Sequence, residues 1–319
     1  VDSLFVAAAS LIAGILLRLS GRLPEHSNRV MAGVVIQFCV PPVAFLAARN
    51  MPLTAEILLP GSMAWIIFAG GALFFGLGAR VLGLSRQTFG CLMLAGGMSN
   101  TIFIGLPMIE AFYGPQYSFV AFLCDNPGTS IVLAVPGVLL ASHLTDHSHG
   151  HANGHANGRT DGQAESAGAA MAGALKRMLL FPPFQALVLG LLLRPVPLPD
   201  WVLAGLSRIG ATLVPLSLLT VGFGLSLRLP GAKAKPLALG LVYKLILAPA
   251  LIWLVAAKGF GNTGPVAQVT VFEAAMPPMV LGAILATDSG LDPELAALLV
   301  GIGTALSFVT LPLWHWLLA

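Results

Sequence analysis

Charge is what this sequence has least of. Asp, Glu, Lys and Arg make up 9% of its 319 residues, against 57% hydrophobic residues. Soluble domains carry roughly a quarter charged residues, so this composition excludes a water-soluble globule and points to a polytopic membrane protein. The net charge of +3 carries no nucleic-acid signal, because the basic residues sit between apolar runs. Cysteine is scarce as well: Cys39, Cys91 and Cys124 each fall inside an apolar run. They read as small buried hydrophobes, which excludes a disulfide framework and a cysteine metal site. No HExxH and no GxxxxGK[ST] occurs, so zinc-peptidase chemistry and ATP-driven pumping lack their residues. Ser99 and His315 are the one nucleophile–base pair that can be named. They lie at different depths, and "GMSNT" lacks the spacing of a nucleophile elbow. No enzyme activity, cofactor or metal is therefore expected. A basic n-region is missing too: "VDSLFVAAAS" reads as a retained first span rather than a signal peptide.

What is present is a series of apolar runs, each near the 20 residues needed to cross a bilayer. Ten are expected: 3–19, 30–48, 58–78, 88–112, 117–141, 178–193, 202–227, 236–257, 266–286 and 295–318. The loops after spans 1, 3, 5 and 7 hold Arg18, Arg22, Arg29, Arg80, Arg86, Arg159, Lys176, Arg177, Arg228, Lys233 and Lys235. The loops after the even spans hold only Arg49, Arg194 and Lys258. Basic loops stay in the cytoplasm, so both termini are expected outside it, in a bacterial inner membrane. The chain divides into a five-span half (1–141), a polar linker (142–176) and a second half (177–319). The linker is glycine-rich and carries His143, His147, His149, His151 and His155. Its functional reading is a metal-capturing tract. Its plain reading is a solvated low-complexity linker, since nothing fixes ligand geometry.

The unusual prolines recur at matching places in the two halves. "CVPPVAF" (Pro41, Pro42) matches "LVPLSLLTVG" (Pro215), and "IGLP" (Pro107) matches "AMPPMVLG" (Pro277, Pro278). Five spans per half force the second half into the membrane upside down, the inverted-repeat plan of many secondary transporters. Proline removes a backbone donor and clashes with the preceding turn. A freed backbone group in hydrocarbon costs several kcal/mol, roughly, unless protein or cavity water satisfies it. Two breaks at matching depth would face each other near the midplane. Their amide ends would attract an anion, and their carbonyl ends a cation or proton. The plain alternative for a single such segment is a kink. The paired positions, with Asn100 beside the first break, favour a site.

"SNTIFIGLPMIEAFYG", "PLSLLTVGFGL", "KLILAPAL" and "AAMPPMVLGAILATDSGLDPELAALLVGIGTALSFVTLPLW" resemble the auxin efflux carrier family over nearly the whole chain except the histidine-bearing linker. The resemblance implies an all-α membrane fold of ten helices in two inverted five-helix repeats. Helices 4 and 9 would be broken and would cross at the centre, as in bile-acid symporters. It implies transport of small organic anions, malonate-like or malate-like carboxylates or auxin-like acids, by alternating access. Carried over, Pro107, Pro277 and Pro278 are the crossover prolines, and Ser99, Asn100 and Thr101 the expected substrate contacts. Span 9 has no asparagine to match; Glu273 stands there instead. Few aromatics flank the breaks, Phe103 and Phe272 being nearest, which places a dicarboxylate ahead of an aromatic acid.

Ionisable side chains at membrane depth are functional by default. Asp125, Lys244 and Glu273 are the deepest. An Asp125–Lys244 pair would link the two halves, either as a proton-exchanging couple or as a static packing pair. Glu273 is read as a proton carrier, or else as a side chain snorkelling toward a cavity. The partners expected are an organic anion, the lipid bilayer, and protons or sodium ions for coupling; a homodimer is left open. The rival function is proton or sodium antiport on the same fold.

Overall fold

The computed structural model describes residues 2–24, 27–144, 179–225, 231–261 and 263–319. The histidine tract and Arg159, Lys176, Arg177 and Arg228 lie outside the described residues, whereas His143 lies in the last turn of the helix Val138–Leu144.

The described chain is helical. The helices are α1 (Asp2–Leu19), α2 (Ser27–Asn50), α3 (Ala55–Leu82), α4 (86–96), α5 (Thr101–Phe112), α6 (Pro115–Leu144), α7 (Pro182–Leu192), α8 (Asp200–Gly224), α9 (Gly231–Gly259), α10 (Pro265–Ala274), α11 (Val280–Asp288) and α12 (Pro293–Leu318). Of these, α2, α3, α6, α8, α9 and α12 are long and apolar enough to cross a membrane. Their ends follow local chemistry. The Ser85 side chain accepts the Thr88 N–H to start α4. Gly83, at φ +62, stops α3 in the left-handed conformation that glycine adopts at least cost. Asp292 caps α12 by accepting from Leu295 N–H, with Pro293 in the first turn. Inside α6, Pro127 and Pro136 are housed in wide π turns, Cys124–Thr129 and Leu133–Gly137. The wider turn absorbs the bond and the space that proline denies an α-helix.

Packing sorts the helices into two groups. In one, α1 runs along the second half of α8, and α2 packs on α7 and on the first half of α8. The backbones approach through small residues, as association in lipid favours: a Cβ on Gly222 would lie 2.2 Å from the Leu11 carbonyl. In the other group α3 packs on α6, α9 on α10, and α11 on α12 and α4.

Two expected spans are not continuous helices. The first breaks between α4 and α5, the second between α10 and α11. Pro107 corrects the expectation: it lies in the first α turn of Leu106–Phe112, past a π turn at Thr101–Gly105. The break is at Gly97–Asn100 instead. Gly97 N–H turns back onto the carbonyls of Leu92 and Met93 and ends the helix there.

Candidate functional site

The two breaks meet. Asn100 N–H donates to the Pro277 carbonyl at 3.0 Å, and Met279 N–H donates to the Ala95 carbonyl at 3.0 Å. Ser99 and Pro278 form the one antiparallel bridge among the described residues. Backbone that would be stranded in hydrocarbon is thus satisfied by its counterpart from the far half of the chain. The approach is close, since a Cβ on Gly282 would stand 1.8 Å from the Leu94 carbonyl.

Beside this junction, at the seam between the helix groups, lies a small cavity. Residues 99–103 and Met279–Leu281 line it, so the first turns of α5 and α11 both reach its wall. Ile36 and Val40 of α2, with Phe181 and Pro183 at the start of α7, close the other side. A second cavity shares Asn100, Phe103, Ile36, Val280 and Leu281, and extends to Asn28 and Arg29. A third, sharing Arg29, Gly224, Val280, Ile284 and Val300, continues to Asp288 and Pro293. Asn100 therefore sits at the inner end of a series of cavities leading to one end of the seam. Its Nδ2 and the Ser99 hydroxyl are buried without a hydrogen-bond partner among the described residues. Unsatisfied buried donors are uncommon in folded proteins. The Thr101 hydroxyl donates to Asp125 Oδ1 at 2.8 Å, and the Ser130 hydroxyl to Oδ2 at 3.3 Å, so a carboxyl also faces the first cavity.

Behind the junction is a buried charged cluster. Glu273, in the last turn of α10, is fully buried, and both its oxygens lack a hydrogen-bond partner. Gly105 makes room for them: a Cβ there would lie 2.3 Å from Glu273 Oε1. Lys244 is likewise fully buried, and its Nζ donates to the Ala274 carbonyl. The expected Asp125–Lys244 pair is not formed. Asp125 is taken up by Thr101 and Ser130, and Lys244 by the Ala274 carbonyl. The wide turns decide this, because Asp125 lies on Cys124–Thr129 and Lys244 on Tyr243–Leu247. Each turn aims its side chain at the nearer half-helix. Tyr243 anchors the second of these turns by donating to the Ile67 carbonyl and stacking on Phe74.

Residues 2–315 match the family described as "Membrane transport protein". The chain belongs to that family, the auxin efflux carriers. An uncharacterized transporter of Methanothermobacter thermautotrophicus is 27% identical over 312 residues, covering 95% of this chain and 93% of its own. An uncharacterized transporter of Methanocaldococcus jannaschii is 24% identical over 333 residues, covering 99% and 98%.

In this auxin efflux carrier family member, the sequence-expected residues divide by position. Ser99, Asn100, Thr101 and Asp125 line the first cavity, whereas Pro107, Pro277 and Pro278 do not. The three prolines shape backbone behind it, Pro277 through its carbonyl. Glu273 and Lys244 lie deeper, outside the cavity walls. His315 packs among Phe112, Tyr113 and Phe272, and no hydrogen bond joins it to Ser99. Sequence reasoning missed Ser130 and Phe181. Ser130 lies five residues after Asp125, the reach of a π turn, and "CDNPGT" was its only local signal. Phe181 carried none, because α7 brings it across the seam from the other helix group. Among the described residues no cluster of His, Cys, Asp and Glu is arranged to hold a metal ion.

Proposed function

We propose that this chain is a secondary carrier of small organic anions, working by alternating access with the substrate at the crossing of the two broken helices. The observation that carries the reading is the buried, unpartnered Asn100 amide in a cavity reached by two half-helix amide ends. A carboxylate placed there receives a hydrogen bond from Asn100 and the favourable ends of two helix dipoles. Ser99 supplies a further hydroxyl donor, and Thr101 acts through its bond to Asp125. The remaining wall is apolar, with Ile36, Val40, Phe103 and Phe181, which suits an acid with one carboxylate and an apolar body. That wall favours auxin-like acids over the dicarboxylates favoured by the sequence, because Phe181 joins Phe103. The broken helices fit a plan of ten spans in two inverted repeats, with 142–176 as the cytoplasmic linker and the seam as the sliding boundary. Asp125 and Glu273 are the proton-handling carboxyls, and Lys244 belongs to the same coupling cluster. The expected setting is a bacterial inner membrane, with both termini outside the cytoplasm.

The test is uptake of labelled indole-3-acetate and labelled malonate into proteoliposomes, with and without an inward proton gradient, for wild type and Asn100→Ala. Gradient-stimulated uptake of one acid is expected. In the variant its KM should rise about 10-fold to 100-fold, the cost of one hydrogen bond to a charged group. Equal uptake by the two proteins overturns the site. The Asp125 carboxyl on the cavity wall favours a second reading, proton or sodium antiport. Ion exchange without uptake of any acid would establish that one instead.

A further inference from the structure

Helices α5 and α6 each give the other's carboxyl a hydroxyl. Thr101 of α5 donates to Asp125 of α6 at 2.8 Å, and Ser118 of α6 donates to Glu110 of α5 at 3.1 Å. Thr101 and Glu110 lie toward opposite ends of α5, roughly 13 Å apart at a rise of about 1.5 Å per residue. The first pair faces the cavity at Asn100. The second faces a separate cavity across the seam, where Val43 and Asn50 of α2 and Ser207 of α8 join Glu110, Gln116 and Ser118. This outer cavity shares no wall residue with the series that runs from Asn100 to Arg29. It includes Asn50, at the end of α2 that the basic loops place outside the cytoplasm. Glu110 is the one ionisable residue on its wall, and Ser118 is its only hydrogen-bond partner among the described residues. Neighbouring charges and titratable groups are directed elsewhere. Arg49 is engaged by the Leu193 and Val196 carbonyls, and Arg208 is exposed and off the wall. Tyr113 packs on Tyr117, Phe272 and His315, and Glu273 faces Gly105.

We propose that Glu110 is the outer proton switch of the carrier: ionised, it bars organic anions from the outer cavity, and protonated, it admits them. A carboxylate in a narrow wall with no cation to offset it repels a second carboxylate at close range, and low-dielectric surroundings strengthen the effect. A proton taken from outside water removes that field and returns to the water when Glu110 ionises again. The Ser118 hydroxyl serves either form, because it donates to the carboxylate or accepts from the acid. The amides of Asn50 and Gln116 and the Ser207 hydroxyl then offer a passing carboxylate uncharged donors. The switch acts on the apparent affinity from outside and leaves the maximal rate to the carboxyls nearer the crossing.

The inference rests on the organic-anion reading for its consequence, but its field is measured without a substrate, so the two failures are distinguishable. The native cysteines are buried, and Asn50→Cys puts one thiol on the outer cavity. Purified protein is labelled at low ionic strength with a cationic and an anionic methanethiosulfonate. The ratio of the two rates cancels the ionisation of the thiol itself. It should fall about 10-fold between pH 8 and pH 5. With Glu110→Gln added, which keeps the volume and an acceptor for Ser118, the ratio should be low at pH 8 and flat. A flat ratio while Glu110 is present overturns the proposal, and that arm needs no substitution at Glu110. An unchanged pH dependence in the glutamine variant overturns it as well. Transport gives the second readout, in right-side-out vesicles with equal pH on both sides. The KM from outside for the acid identified by uptake should be about 10-fold lower in Glu110→Gln than in wild type at pH 8, and equal to it at pH 5.5. The KM measured in inside-out vesicles should be the same for both proteins. A labelling effect with no change in the outer KM overturns the switch. Absence of any transported acid sinks the carrier reading, while the labelling ratio still decides whether Glu110 sets the field.

Discussion

Asn100 N–H donates to the Pro277 carbonyl at 3.0 Å, between residues 177 positions apart in the sequence. That bond and the Met279–Ala95 bond hold the two broken helices together, and they leave the Asn100 side chain free. Backbone supplies the structure of the crossing and side chains supply its chemistry. Substitutions there should therefore separate transport from folding.

Glu273 gives the sharpest separation. Its oxygens make no hydrogen bond, so Glu273→Gln removes charge while nearly preserving volume, and folding should tolerate it. Stimulation of uptake by an inward proton gradient is expected to fall to the unstimulated level, with exchange of acid across the membrane retained. Unchanged gradient dependence would exclude Glu273 from proton coupling.

The close approach at Gly282 makes the opposite prediction. Gly282→Ala drives a methyl into the Leu94 carbonyl, a backbone group that cannot rotate away. Overpacking costs about 1–3 kcal/mol and sometimes more, and the upper end is expected. Gly205, also helical, has open space where its Cβ would be. Gly205→Ala should be neutral or stabilising by up to about 1 kcal/mol. The two melting temperatures check this directly.

At the membrane edge, Asp292 joins α12 to α9 and α4. It accepts from Lys233 Nζ at 2.7 Å, from the Thr88 hydroxyl at 2.9 Å and from Leu295 N–H at 3.2 Å. Burial pushes its carboxyl up, but the three hydrogen bonds and the Lys233 charge outweigh burial and hold it below the ordinary value of 3.8. The folded pKa is therefore the lower one. The stabilisation is present above the unfolded pKa, near 3.9, and is lost as pH falls through the folded value. Melting temperature measured from pH 7 down to pH 3 should show an acid loss that is smaller in Asp292→Asn, which is already less stable at neutral pH.

Topology is checked by labelling. Cys39, Cys91 and Cys124 are all buried, so the native protein should not react with a membrane-impermeant maleimide. Ser20 and Asn50 are exposed at the ends of α1 and α2. In intact cells Asn50→Cys should label, and Ser20→Cys only after permeabilisation. The reverse pattern would invert the orientation read from the basic loops.

Two of the three basic residues of the even loops, Arg49 and Arg194, have a structural reason that only the fold reveals. Arg49 donates to the carbonyls of Leu193 and Val196, and Arg194 to that of Met51 at 2.9 Å. Each fastens the chain that follows the other's helix, where carbonyls are left over at a helix C-terminus. Charge counting sees them only as exceptions to a topology rule.

Membrane class, the apolar runs and the neighbourhoods of the two breaks were determined by the sequence alone, because hydropathy, glycine and proline act over a few residues. The polar residues at risk in lipid, Asn100, Asp125, Lys244 and Glu273, were visible for the same reason. Partners were decided only by tertiary structure. Proline chemistry pointed to Pro107, yet a wide turn at Thr101–Gly105 absorbs it and the chain breaks at Gly97–Asn100. Charge alone favoured Asp125 with Lys244, yet Thr101 and Ser130 claim the one and the α10 carbonyl end claims the other. A buried charge goes to the group its turn geometry can reach, and that reach is set by helices far apart in the chain.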